Sequence, residues 1–116
     1  MCVLSHNSLT LAKPPVFTKT PEDAIILSKE LDLDVLLVFT AGWCPSCQTM
    51  KSDIDKDMSI IEDIIVCYID FDSNKELAKE FKVRILPDYM IYRNNIEIKR
   101  KIGYKNKEEF KQWLSK

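Results

Sequence analysis

Residues 35–47, with the sequence VLLVFTAGWCPSC, carry the clearest structural signal in this chain. The first five of these residues form a continuous apolar run, which predicts a strand buried on both faces. Pro45 suits the first position of the following helix, because its missing N–H would have no partner there. Cys44 and Cys47 then lie one helical turn apart, within the reach of a disulfide bond. We therefore expect a cysteine pair that can open and close at a strand-to-helix junction.

Cys44 is the expected nucleophile of this pair. A thiol at a helix N-terminus faces unpaired backbone N–H groups and the positive end of the helix dipole, and both favour the thiolate. In Cys-x-x-Cys motifs the pKa of the first thiol falls below its ordinary value of about 8.5.

The composition of the 116 residues, 46% hydrophobic and 30% charged, predicts a soluble globular protein with one domain. Residues 1–15 lack periodicity and end in two prolines, so we expect a flexible N-terminal arm at 1–15 and the domain at 16–116. A secretory signal and an apolar run of membrane-spanning length are both missing from the sequence, which predicts a cytoplasmic protein without membrane association. In a reducing compartment the four cysteines argue against a structural disulfide framework.

The last third of the chain is rich in lysine and arginine. A patch for an acidic partner or nucleic acid would be formed by Lys99, Arg100, Lys101, Lys105 and Lys107. The simpler interpretation is a solvated strand edge and helix face, so nucleic acid is not an expected partner.

Apolar periodicity and turn signals divide the chain into alternating strands and helices. The predicted strands are 16–18, 35–39, 64–71, 88–93 and 96–102, and the predicted helices are 21–31, 45–54, 73–81 and 106–114. Thr20 is the expected N-cap of the first helix, in which Ala24, Ile26, Leu27 and Leu31 are available to the core. Ser73 with Glu76 has the spacing of a capping box, and Asn94-Asn95 tolerates the positive φ of a tight hairpin turn between the last two strands. This order predicts one α/β domain with a mixed sheet and helices on both faces.

Three separated features together resemble the thioredoxin family over roughly residues 16–114. Residues 36–47 look like its strand, Trp-Cys-x-x-Cys motif and helix. Residues 83–87, Val-Arg-Ile-Leu-Pro, look like its loop with a cis-proline, and Gly103 stands where the family has a glycine after the last strand. The resemblance implies a thioredoxin fold at 16–116, with a five-stranded mixed sheet flanked by helices in the order β1-β3-β2-β4-β5.

The resemblance also implies the activity, a dithiol–disulfide oxidoreductase that reduces protein disulfides with Cys44 as nucleophile and Cys47 as resolving cysteine. It implies no bound cofactor and no metal, with electrons supplied by NADPH through a thioredoxin reductase. Protein disulfides and that reductase are the expected partners of a monomer. The implied substrate-binding residues are Trp43, Pro45, Leu86, Pro87, Gly103 and Tyr104.

The sequence departs from the family at the proton acceptor. Many thioredoxins have a buried aspartate beneath the second cysteine, but the matching residue here is Val38. Asp88, directly after the proline of the loop, is a candidate substitute. The alternative is that Asp88 caps a turn and that the proton of Cys47 leaves through water.

The other candidate residues have simpler interpretations. Cys67 lies in an apolar strand and is expected to be a core residue, whereas Cys2 and His6 are expected to be inert. Asp70 and Asp72 end the same strand near the cysteine pair, where they would bond to nearby groups or only cap the strand.

Three other functions compete with the dithiol reaction. A zinc site needs two further ligands that the sequence does not bring near the pair. A glutaredoxin-type activity lacks that family's Thr-Val-Pro and Gly-Gly features. An interaction subunit, whose docking role does not require the dithiol, is the remaining alternative.

Overall fold

The computed structural model describes residues 13–116, so Cys2, His6 and most of the predicted N-terminal arm lie outside the described residues. The strands are β1 Val16–Thr18, β2 Asp34–Thr40, β3 Ile64–Asp70, β4 Asp88–Arg93 and β5 Ile96–Ile102. The α-helices are α1 Pro21–Leu31, α2 Pro45–Lys56, α3 Lys75–Glu80 and α4 Lys107–Ser115, and a 3₁₀ helix at Met58–Ile61 follows α2. The predicted elements are present, and only the 3₁₀ helix was not expected.

The five strands form one sheet in the order β1-β3-β2-β4-β5, which confirms the predicted mixed sheet. β1 and β2 both run parallel to β3, whereas β4 is antiparallel to β2 and to β5. Asn94 and Asn95 join β4 to β5 with φ values of 52° and 62°, as a tight hairpin turn requires. The central position of β2 places its C-terminal end, and the cysteine pair after it, in the middle of the sheet.

Helices cover both faces of the sheet. On one face Leu36 and Val38 of β2 pack with Met50 and Ile54 of α2 and with Phe110 of α4. The opposite face belongs to α1 and α3, which pack on the alternate residues of the same strand. Both faces of β2 are therefore buried, as its continuous apolar run predicts.

The sequence predicts the N-cap residue correctly for α1 but not for α3. The Thr20 hydroxyl accepts from the Asp23 N–H at 3.1 Å, as expected of an N-cap. Ser73 does not cap α3, since the helix begins at Lys75, and its N–H and hydroxyl both donate to the Asp70 carboxylate. The N-cap of α3 is Asn74, which makes no side-chain cap hydrogen bond.

The predicted inner face of α1 is only half right. Ala24 is fully buried and Leu27 packs against the core. Ile26 and Leu31, which we expected to be available to the core, are 57% and 48% exposed. Helical geometry explains this, because a core-facing stripe takes residues three or four positions apart and cannot include every apolar residue.

Most of the expected basic patch is engaged within the protein. Lys99 donates to the carbonyl groups of Trp113 and Leu114 at the C-terminus of α4. Arg100 pairs with Asp88, and Lys101 lies 3.5 Å from Glu109. These contacts favour the interpretation of a strand edge over that of a free cationic surface.

Lys13, near the end of the predicted arm, exchanges two hydrogen bonds with Asp63. Its N–H donates to the Asp63 carboxylate, and its carbonyl accepts from the Asp63 N–H.

None of the helices within residues 13–116 is long and apolar enough to cross a membrane.

Candidate active site

Cys44 and Cys47 are joined as a disulfide at the start of α2, with a Cα–Cα distance of 5.3 Å. Cys44 is the N-cap of this helix and has extended backbone angles, and Pro45 occupies the first helical position. The Cys44 Sγ accepts a hydrogen bond from the Cys47 N–H at 3.3 Å. The Cys44 Sγ thus accepts a hydrogen bond from one of the backbone N–H groups that have no partner within the helix.

The junction between β2 and α2 is held by its own backbone. The carbonyl of Ala41 accepts from the Cys44 N–H at 3.2 Å and from the Gln48 side-chain amide at 2.9 Å. Cys44 is 5% exposed and Cys47 is 1% exposed, and Pro45 between them is exposed. The first cysteine is therefore the more accessible of two well-shielded sulfurs.

Ser46 adds a polar neighbour to Cys44 that the sequence analysis did not single out. Its hydroxyl lies 3.6 Å from the Cys44 Sγ. A hydroxyl can rotate to donate to whichever acceptor is present. Ser46 and the Cys47 N–H are thus both placed to donate to the same sulfur.

Trp43 is the most exposed large side chain beside the pair, with 63% of its surface accessible. Its indole N–H donates to the Asp72 carboxylate at 2.7 Å, which joins the loop before α2 to the end of β3. Asp70 bonds instead to Ser73, and these hydrogen bonds lower the pKa of the Asp70 carboxyl. Of the two aspartates considered from the sequence, Asp72 is the one that contacts the site.

The loop before β4 and the turn after β3 both pack against the cysteine pair and its neighbour Ala41. Leu86 and Phe71 contact a small buried cluster formed by Ala41 and the two cysteines. The Leu86–Pro87 peptide bond is cis, as expected, and Pro87 is buried. Phe71 was not predicted as a site residue, because the sequence does not show that the turn after β3 folds back towards α2.

Gly103 lies next to Pro87, at the end of β5. Its N–H donates to the Pro87 carbonyl at 2.8 Å, and its φ of 88° is a conformation that glycine adopts readily. The neighbouring Tyr104 is half-buried, and its hydroxyl donates to Asp53 of α2 at 2.6 Å. Burial is the main cause that raises the pKa of the Tyr104 phenol, and the hydrogen bond to Asp53 adds to it.

The thioredoxin family model matches residues 16–116, nearly the whole described chain. The chain belongs to the thioredoxin family. A thioredoxin from Rickettsia typhi is 31% identical over 88 residues, which cover 75% of this chain and 84% of the relative. Thioredoxin H2 from Arabidopsis thaliana is also 31% identical over 88 residues, 76% of this chain and 65% of that protein. The crystal structure of thioredoxin NaTrxh from Nicotiana alata has the same fold, with a TM-score of 0.71, 23% identity and coverage of 91% and 94%.

Thioredoxins are protein-disulfide oxidoreductases, and this chain has their cysteine pair at disulfide distance. It is a dithiol–disulfide oxidoreductase.

The third described cysteine, Cys67, is free and buried in β3, and burial raises the pKa of its thiol. It is a core residue, as the sequence suggests. Residues 13–116 contain no cluster of three or more histidine, cysteine, aspartate or glutamate side chains suited to a metal ion.

Asp88 has a partner other than the cysteine pair. Both of its carboxylate oxygens accept from Arg100, at 2.8 and 2.6 Å. Asp88 lies opposite Phe39 across β2 and β4, so its side chain shares a face with Phe39 and not with Val38. Val38 packs with Met50 on the α2 face. The structure therefore brings Arg100, not Cys47, to the carboxylate that we considered as a proton acceptor.

Proposed function

We propose that this protein reduces disulfide bonds of other proteins, with Cys44 as the nucleophile and Cys47 as the resolving thiol. The observation that carries this assignment is the hydrogen bond from the Cys47 N–H to the Cys44 Sγ at the N-cap of α2. A hydrogen bond to the charged form of a group favours that form, so the same N–H stabilises a Cys44 thiolate after reduction. The greater exposure of Cys44 also supports its role as the first to attack.

The reaction moves two electrons from the cysteine pair to the substrate. The Cys44 thiolate attacks one sulfur of the substrate disulfide, forms a mixed disulfide with it and expels the other sulfur as a thiolate. The Cys47 thiolate then attacks the Cys44 Sγ, which releases the second substrate thiolate and forms the Cys44–Cys47 disulfide. The two released thiolates take up the two protons that the cysteine pair gives up.

We propose that the proton of Cys47 leaves to water and not to Asp88. The hydrophobic side chain of Val38 cannot accept a proton, and both Asp88 oxygens accept hydrogen bonds from Arg100. Cys47 is well buried in the disulfide form. In the reduced pair its proton is therefore expected to pass to a water molecule before Cys47 attacks the Cys44 Sγ.

The surface around Cys44 is the proposed substrate-binding site. Trp43 and Pro45 are exposed beside the disulfide, and Leu86 packs against the cluster that contains both cysteines, with part of its surface accessible. Pro87, Gly103 and Tyr104 contribute indirectly, because Pro87 is buried and the Tyr104 hydroxyl is bonded to Asp53. We propose that these three residues shape the loop on which the substrate lies.

The proposed electron source is NADPH, acting through a thioredoxin reductase on the Cys44–Cys47 disulfide. The cytoplasm is the proposed compartment, because its reducing poise lets such a pair be regenerated and used as a reductant. We propose that the protein acts as a monomer, with residues 16–116 as the working domain and residues 1–15 as an arm that the reaction does not need.

The test of this function is the reduction of insulin disulfides with NADPH and a thioredoxin reductase. The wild-type protein should precipitate the insulin B chain, whereas Cys44→Ser should be inactive. Cys67→Ser is the matched control, since it removes a thiol of the same chain that is buried in the core. Full activity of Cys44→Ser would overturn the proposal.

The interaction-subunit alternative is tested in cells that depend on this gene. The proposed function requires that a Cys44→Ser/Cys47→Ser protein fails to restore growth. Restoration by that double variant would show that docking is the essential role.

A further inference from the structure

A shallow groove runs between α3 and the loop before β4, with a volume of about 480 Å³. Its floor is apolar and includes Phe71, Ala78 and Val83. Four cationic side chains also line it: Lys75, Lys79, Lys82 and Arg84. An apolar floor with a rim of a single charge sign is a feature of binding surfaces.

The four cations of the groove have no acidic partner within the described residues. The ion pairs of residues 13–116 are Arg93–Asp34, Arg100–Asp88, Arg100–Glu97 and Lys101–Glu109. Lys75 lies 5.7 Å from the centre of the Phe71 ring, and this is a contact with the floor and not with an acid. The groove thus keeps its positive charge available, in contrast to Lys99, Arg100 and Lys101 on β5.

The groove adjoins the active site. Phe71 lines the groove and also packs against the buried cluster that contains Cys44 and Cys47. Arg84 precedes Leu86, which packs on the same cluster, by two residues along the loop. A chain bound in the groove can therefore continue towards Cys44.

We propose that this groove binds an acidic segment of the substrate protein, with an aliphatic side chain of that segment on the apolar floor. Glutamate and aspartate side chains on the segment complement the four cations, and such pairs favour encounter and discriminate against basic partners. This proposal rests on the proposed function in one respect: the protein that binds in the groove is also the protein whose disulfide Cys44 attacks. It deepens that function by naming the class of preferred substrate.

Binding of cysteine-free peptides tests the groove separately from the redox reaction. One fluorescein-labelled peptide carries glutamates around a central leucine, and its counterpart has glutamine at each glutamate position. Measured by fluorescence anisotropy at low salt, the wild-type protein should bind the acidic peptide about tenfold more tightly, since several exposed ion pairs act together. The difference should shrink at high salt, where exposed charges are screened.

Two charge-matched variants locate the binding surface. Lys79→Gln/Lys82→Gln/Arg84→Gln removes three cations of the groove and should reduce the preference to less than about twofold. Lys105→Gln/Lys107→Gln/Lys111→Gln removes three exposed lysines at and before α4 and should keep the preference. Equal losses in both variants, or no preference in the wild-type protein, would overturn the proposal.

An oligodeoxythymidylate of the same net charge as the acidic peptide tests whether the groove binds any polyanion. The proposal requires it to compete at least several times less well, because it offers no aliphatic side chain to the floor. Equal competition would overturn the assignment to a protein segment. Failure of insulin reduction with the peptide preference intact would overturn the proposed function and leave the groove assignment standing.

Discussion

The guanidinium of Arg100 makes a two-point ion pair with the fully buried carboxylate of Asp88. Arg100 Nε donates to Oδ1 at 2.8 Å and Nη2 donates to Oδ2 at 2.6 Å. The same Nη2 donates to the Phe81 carbonyl, just after α3. One arginine thereby ties together the two ends of the loop 82–87, whose Leu86 packs on the cysteine pair.

Replacing Arg100 with methionine should destabilise the protein strongly, because Asp88 would remain buried without its cation. We expect a loss of about 3 kcal/mol in the free energy of unfolding, at the lower end for broken buried pairs since the Arg100 side chain is 25% exposed. Urea unfolding of the oxidised wild-type and variant proteins measures this loss in the free energy of unfolding. Arg93→Met is the matched control, because its pair with Asp34 is exposed and should contribute little.

A double variant separates the ion pair from the shape of the site. In Asp88→Leu/Arg100→Met no charge is left buried, so most of the lost stability should return. If the double variant is as unstable as Arg100→Met, the unpaired Asp88 is not the cause. Equal losses in Arg100→Met and Arg93→Met would also contradict this account of the loop.

Replacing Ser46 with alanine should make the Cys44 thiol less reactive. The Ser46 hydroxyl lies near the Cys44 Sγ and can donate to a thiolate there, and hydrogen bonds to charged groups are stronger than neutral ones. We expect the rate of Cys44 alkylation by iodoacetamide at pH 7 to fall about threefold to tenfold, because a smaller fraction of the thiol is ionised. Thr49→Ala on the same helix, whose hydroxyl bonds to the Pro45 carbonyl, is the control. An unchanged rate in Ser46→Ala would show that the hydroxyl does not act on Cys44.

Alkaline pH should destabilise the folded protein through its buried acidic groups. Burial raises the pKa of Tyr68 to about 12 and also raises the pKa of Cys67. The folded state therefore holds these protons more tightly than the unfolded state. The free energy of unfolding stays constant at pH values below the pKa values of these groups in the unfolded chain, and it falls as the pH rises from about 9 to about 12. Urea unfolding between pH 7 and pH 11 should show a flat region followed by this decline.

Tyr68→Phe isolates the contribution of one phenol to that decline. The Tyr68 hydroxyl is buried and has no hydrogen-bond partner among the described residues, so its removal should cost little stability at pH 8. Above pH 10 the variant should lose less stability than the wild-type protein. An identical decline in both proteins would contradict the assignment to Tyr68.

The fold was predictable because its signals are local and agree with one another. The apolar run before Cys44, the Thr20 cap and the Asn94-Asn95 turn each depend on neighbours in the sequence, and all three are confirmed. The capping box at Ser73 failed for a reason that its spacing does not contain. The Ser73 N–H and hydroxyl donate to the Asp70 carboxylate in the turn after β3, and α3 begins only at Lys75, with Asn74 as its N-cap.

The site was predictable only in part, because several of its contacts join distant residues. The position of the cysteine pair follows from the motif and the helix that it begins. Nothing near Asp88 in the sequence shows that Arg100, on the next strand, pairs with it. In the same way, the packing of Phe71 against the cluster that contains the cysteine pair depends on how the turn after β3 folds.

Trapping of the mixed disulfide shows which cysteine attacks the substrate and which one resolves the complex. Reduced Cys47→Ser protein is mixed with a disulfide-bonded protein substrate, and the products are measured by intact mass and peptide mapping. The account predicts a stable mixed disulfide on Cys44, and no adduct with Cys44→Ser. An adduct on Cys47 in the Cys44→Ser protein, formed as fast as the one on Cys44, would contradict it.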